Sequence, residues 1–173
     1  MINNAKYLLL ILIILPLAGL GCGQKAAEQA AENRINNALD GQGEIEYTGD
    51  GWEYEDSETG TKVQVSERVT IPDDFPNDVP LYPDAVARSV SYNPEQGLAG
   101  FVVLVTNDSV EDVMGWYAAQ AAKNNWTQNG SFNMDGTSML MFNQGSRNLN
   151  VSAAPSEEDG DFATMLTLSV TER

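Results

Sequence analysis

Histidine is absent from the 173 residues, and cysteine occurs once, at Cys22. The first absence removes the commonest near-neutral acid, base and metal ligand, and with it every Ser–His or Cys–His nucleophilic arrangement. The second rules out an intramolecular disulfide. Together they leave too few imidazoles and thiolates for a zinc, copper or haem site. Basic residues are scarce as well: nine Lys and Arg stand against 25 Asp and Glu, a formal charge of −16. Phosphate contacts rest on clustered Lys and Arg, so nucleic acid is excluded as a partner. Adhesion to an anionic lipid surface is disfavoured on the same ground. Carboxylate chemistry remains, but a sequence does not set the separation that paired carboxylates need. No enzyme and no cofactor are expected.

Long apolar runs are equally rare, and the exception is informative. Tyr7 to Leu20 is apolar throughout, follows Lys6, and leads into Gly21-Cys22-Gly23. A basic start, an apolar core of roughly 7–15 residues and small residues at the cut (Gly19, Gly21) make an export signal. Spanning a bilayer takes about 20 apolar residues, so the run is short for a membrane helix. These residues resemble the lipobox of bacterial lipoproteins cut by the type II signal peptidase: Gly21 and Cys22 match its end, and Leu17-Ala18-Gly19 looks like its opening set upstream. The resemblance implies cleavage between Gly21 and Cys22, with a diacylglycerol and an N-acyl chain on Cys22. Several acyl chains anchor firmly where one does not. The cut takes away Lys6 and no acid, moving the charge from −16 to −17. In a cell with two membranes, Gly23, in place of the Asp that retains such proteins in the inner membrane, points to the outer membrane and the periplasm.

After the anchor, Gln24 to Leu39 carries Ala27, Ala30, Ala31 and Ile35 at helical spacing and stops at Gly41 and Gly43, a spacer helix. Three alternating runs follow, around Ile45 and Tyr47, Trp52 and Tyr54, and Val63 and Val65. Glycine-bearing turns separate them, as in a β-meander. Pro72, Pro76, Pro80 and Pro83 then mark an extended connector. Beyond it, Val86, Val90 and Tyr92 alternate in a strand, and Leu98 to Val105 is apolar on both faces, so a cover on each side is expected. The meander is the expected second cover. Ser109-Val110-Glu111-Asp112 opens a helix with a capping box, whose apolar stripe is Val110, Val113, Met114, Tyr117, Ala118 and Ala121. Strands through Trp126–Met134, Ser138–Phe142, Leu149–Val151 and Leu166–Val170 complete the pattern, with a hairpin turn at Asp135-Gly136.

The sequence thus predicts an α+β fold: an antiparallel sheet with one packed helix in the order β-β-α-β-β-β-β, preceded by a short helix and a small β-meander. Its parts are a signal peptide (1–21), a lipid-anchored helical spacer (22–41), the β-meander (42–71), a Pro-rich linker (72–83) and an α+β domain (84–173). Val79-Pro80-Leu81-Tyr82-Pro83-Asp84-Ala85, the Ser109–Asp112 helix start, Trp116-Tyr117 and Asn125-Trp126 resemble a type of small bacterial lipoprotein. In that type glycine is usual where this chain has Asp84 and Asn125. The likeness brings no activity with it.

Two sets of residues stand out as candidate sites. Ser156-Glu157-Glu158-Asp159-Gly160-Asp161 is acidic enough for a loose extracytoplasmic calcium site through Glu157, Glu158, Asp159 and Asp161. It lacks the EF-hand spacing, since Pro155 takes the first ligand place. Trp116 sits about 120° from the centre of its helix's apolar stripe. It is either a cover for the core rim or a partner anchor, with Tyr82 as its nearest companion. The function expected is a lipid-anchored, extracytoplasmic, non-catalytic module that binds a protein or another envelope component. The alternative is a module binding a cation or small ligand, with an enzyme third.

Overall fold

The computed structural model describes residues 24–73, 75–93, 100–156 and 162–172. Helix α1 spans Gln24–Leu39. It stops where Asp40 and Gly41 enter the left-handed region, at φ 50° and 78°, which glycine tolerates without a Cβ clash. Strands β1 (Gly43–Tyr47), β2 (Gly51–Asp56) and β3 (Lys62–Ser66) follow, then β4 (Val86–Tyr92), β5 (Gly100–Thr106), α2 (Val110–Lys123), β6 (Thr127–Met134), β7 (Thr137–Gln144), β8 (Arg147–Pro155) and β9 (Thr164–Glu172).

All nine strands belong to one antiparallel sheet, ordered β1-β2-β3-β4-β5-β9-β8-β7-β6. This corrects the expected fold class. The meander is not a separate piece laid over β5: β3 pairs with β4 along Lys62↔Tyr92, Val63↔Ser91, Gln64↔Val90 and Val65↔Ser89. The physical reason is the unpaired backbone edge of each strand. Hydrogen-bonding groups that are withdrawn from water need partners, and edge-to-edge pairing satisfies both rows at once, where face-to-face stacking satisfies neither.

Helix α2 lies on one side of the sheet, the front. Ser109 caps it, its Oγ accepting from the Asp112 amide at 3.2 Å and donating to the Asp112 carboxylate at 2.6 Å. At the other end Trp126 N–H reaches Ala121 C=O at 3.0 Å and Asn125 N–H reaches Ala122 C=O at 3.3 Å. That is a Schellman closure with Asn125 in the left-handed position, at φ 64°. Val113, Met114, Tyr117 and Ala121 face inward. They meet Val90, Val102, Leu104, Leu140, Phe142, Leu149, Val151, Leu166 and Leu168 from the sheet.

The Pro-rich stretch, expected as an extended connector, is part of this core. Phe75, Val79 and Tyr82 are buried in it, and two tight turns (Phe75 N–H to Pro72 C=O and Val79 N–H to Pro76 C=O, both 3.0 Å) fold it back over the sheet. Trp126 Nε1 donates to Asp78 C=O at 2.9 Å, and Arg147 Nη1 meets the Asp78 carboxylate at 2.6 Å while its guanidinium lies over the Trp126 ring. Gly100 is where Phe75 packs. A Cβ there would stand 2.7 Å from the Phe75 ring.

Candidate functional site

Alternation across the paired strands assigns each side chain to a face. On β5 to β9 the front takes Val102, Leu104, Leu166, Leu168, Leu149, Val151, Leu140 and Phe142, all buried. The opposite side, the back, takes Phe101, Val103 and the buried Val105, then Met165, Thr167 and Ser169, Asn150 and Ser152, Met139 and Met141, and Phe132 and Met134. Among the described strand residues, no ionisable side chain lies on this back face from β5 to β6, in a chain of formal charge −16. The same face runs on across Ser89 and Ser91 of β4, Val63 and Val65 of β3, Trp52 and Tyr54 of β2, and Ile45 and Tyr47 of β1. The acids of the meander (Glu44, Glu46, Glu53, Glu55) go to the other side, where Glu55 pairs with Lys62 at 3.5 Å.

Two β-bulges create this segregation. In β4 the register slips between Ala87 and Ser89, so Ala87 and Val90, three residues apart, both point to the core while Val86 turns away. In β6 it slips between Gln128 and Gly130. An extra residue in one strand reverses its alternation. Trp126, before the bulge, is therefore buried on the front, and Phe132 and Met134, at even spacing from it, emerge on the back with 52% and 58% of their surface exposed. Phe101 (39%) and Met165 (42%) are exposed on the same face. Gly130 gives Met141 room to lie across β6, because a Cβ would come within 2.5 Å of the Met141 methyl.

Tyr82 and Trp116 come together on the front. Their rings meet edge-on at 5.1 Å, Trp116 meets Tyr117 edge-on at 4.9 Å, and Tyr82 stacks on Tyr117 at 6.2 Å. Tyr82 OH donates to the Asp108 carboxylate at 2.7 Å. Burial, then the anionic acceptor, push its ionisation up to about 12. Burial pushes the fully enclosed Tyr117 hydroxyl higher still, opposed in part by the Tyr82 backbone. Trp116 is half-buried against the core, so most of its contacts are within the chain. The three rings pin the Pro-rich segment to α2.

The other candidate residues lie outside the described residues: Gly21 and Cys22 before α1, and Glu157, Glu158, Asp159 and Asp161 in the β8–β9 loop. Among the described residues no group of three or more acids or thiols is placed to hold a metal ion, and no helix is long and apolar enough to cross a membrane. Two shallow depressions of about 430 and 390 Å³ flank the segment after β3. Arg68, Arg88 and Phe162 line one; Asp50, Trp52, Gln64 and Thr70 line the other.

The back face was not legible as a site from the sequence. The available signal was the clustering of uncharged Ser, Thr, Asn and Met at alternate places of the last four strands, but the bulges hid which side each would take.

The stretch from β4 through β8, with α2 inside it, coincides with the comparison to known families. A family model described as START domain-like matches residues 87–160, less than half of the chain. No curated protein and no solved structure matches. The chain is similar to START domain-like proteins over that stretch.

Proposed function

We propose that this protein is a non-catalytic binding module, tethered outside the cytoplasm by lipid on Cys22, whose working surface is the uncharged back face of the sheet. The observation that carries the reading is charge segregation. With 34 Asp, Glu, Lys and Arg in the chain, a five-strand face without one of them is a surface that water alone does not select. Exposed apolar area ringed by polar residues marks interaction surfaces, and methionine adapts to varied partners because its side chain is flexible and polarisable. The partner that fits is an envelope protein or component presenting apolar and uncharged polar groups. Trp116 and Tyr82, spent on each other and on Tyr117, are secondary to it as partner contacts.

The START domain-like match supports a second reading of the same module, in which the occupant is a small apolar ligand. Photo-crosslinking residues placed at Met139 and Met165 of the membrane-bound protein separate the two. A protein-sized adduct at both, with none at Glu111 on the outer side of α2, is the result for a protein partner. A shift of a few hundred daltons is the result for a small ligand, and unmodified protein at both positions would refute the back-face reading. The anchor is tested separately, by labelling with a fatty acid. Label should enter the parent chain and not Cys22→Ala, and label in both would remove the anchor.

A further inference from the structure

We propose that two copies of this chain associate by antiparallel pairing of β6 with β6, centred on Phe132. The inference starts from the unequal treatment of the two sheet edges. An edge strand offers a row of unpaired amides and carbonyls that another strand can join, and proteins blunt such edges with charge, proline, bulges or a covering element. The β1 edge is blunted twice: it carries Glu44 and Glu46, and Asn36 of α1 acts as a peptide surrogate, donating to Ile45 C=O at 3.0 Å and accepting from Ile45 N–H at 2.8 Å. The β6 edge closes the sheet order with no strand beyond it among the described residues. It holds neither a charged residue nor a proline.

Its single blunting device, the bulge between Gln128 and Gly130, disables only the first half. The second half, Gly130 to Met134, is regular. The two-residue loop after it has both residues at positive φ, Asp135 at 51° and Gly136 at 82°. Such a loop closes on a hydrogen-bonded Met134–Thr137 pair. Hydrogen-bonded and non-hydrogen-bonded pairs alternate along antiparallel strands, so Ser131 and Asn133 turn their amides and carbonyls outward. A two-fold axis at Phe132 sets Ser131 opposite Asn133 of the second copy, and Asn133 opposite its Ser131, satisfying four outward pairs of groups. It also sets the two Phe132 rings side by side on the back face, an aromatic cross-strand pair.

The occupant is a second copy for reasons of charge and symmetry. Two chains that each carry −16 repel everywhere except where neither bears charge, and β6 meets that condition. No pocket or charge on β6 would select a foreign strand. Pairing would also join the two back faces into one continuous uncharged surface, although it does not depend on what that surface binds.

The test uses the full chain with Cys22→Ala, so that an introduced thiol is the only one. Under mild oxidation in whole-cell lysate, Phe132→Cys should give a disulfide-linked dimer, since closely opposed strand residues meet disulfide geometry. Thr127→Cys should not, because five residues on either side of the axis, at about 3.3 Å each, hold its two copies roughly 30 Å apart. In detergent, Phe132→Lys should weaken self-association at least tenfold by sedimentation, with an unchanged thermal midpoint. Equal crosslinking at 127 and 132, crosslinking at 132 to a different protein, or an unaltered association with Phe132→Lys would each overturn the proposal.

Discussion

The two faces of the sheet are built from the same strands and obey different rules. On the front, alternate residues through the middle of β5, β9, β8 and β7 are buried aliphatic or aromatic side chains, sealed by α2 and by the Pro-rich segment. On the back, the intervening residues are neither charged, as solubility would favour, nor fully apolar, as a core would require. They are mostly Ser, Thr, Asn, Met and Phe, with Val103 and the buried Val105 on β5. One face holds the molecule together. The other is free of that duty, and its composition answers to something else.

The largest expected difference between the faces is in stability. Phe142, 1% exposed on the front, should cost about 3–5 kcal/mol on truncation to alanine, the transfer and cavity terms acting together. Phe132, on the back, should cost under about 0.5 kcal/mol, as exposed substitutions usually do. Urea unfolding of the two variants measures both, and equal losses would erase the distinction. Next comes Gly100→Ala. The new methyl meets the Phe75 ring, so overpacking should destabilise by about 1–3 kcal/mol, and Gly100→Ala with Phe75→Leu should recover part of that.

Smaller effects follow from the backbone and from pH. Asp84 and Asn125 stand at φ 59° and 64°, in the left-handed region that favours glycine. Replacing Asn125 or Asp84 by glycine relieves the Cβ strain but loosens the unfolded chain. The net gain should be within about 1 kcal/mol, read as a modest rise in the thermal midpoint. Tyr82 titrates higher folded than its ordinary value of 10.0. The stability it contributes is therefore complete below pH 10 and lost as pH rises through about 12. Tyr82→Phe should flatten the fall in stability over that window, and an identical fall would place its cause elsewhere.

Local signals in the sequence located most of the elements that frame these faces. The Ser109 cap and the Asp135-Gly136 turn are short-range features, and the structure has both. The Pro-rich segment was harder to read, because its prolines suggested a connector while Phe75, Val79 and Tyr82 carry the information that it packs. The union of meander and sheet was hidden for a different reason. The β3–β4 pairing joins strands separated by nineteen intervening positions, and nothing in the alternation of Val63 and Val65 says which edge they will meet. The bulges were hidden too, since one unpaired residue in β6 is enough to send Phe132 out instead of in. Cys22 and the acidic loop were prominent in the sequence, but both lie outside the described residues.

The central claim is that the back face is covered when the protein sits in its own envelope. Methionine reports this directly, because exposed thioethers oxidise readily to sulfoxide and four methionines (Met134, Met139, Met141 and Met165) lie on that face, while Met114 is buried on the front. Mild peroxide treatment of the protein in native membranes and after purification, followed by peptide mass spectrometry, should show the four back-face residues protected in membranes and oxidised once purified, with Met114 protected in both. Equal oxidation of the four in both preparations would mean that nothing covers this face.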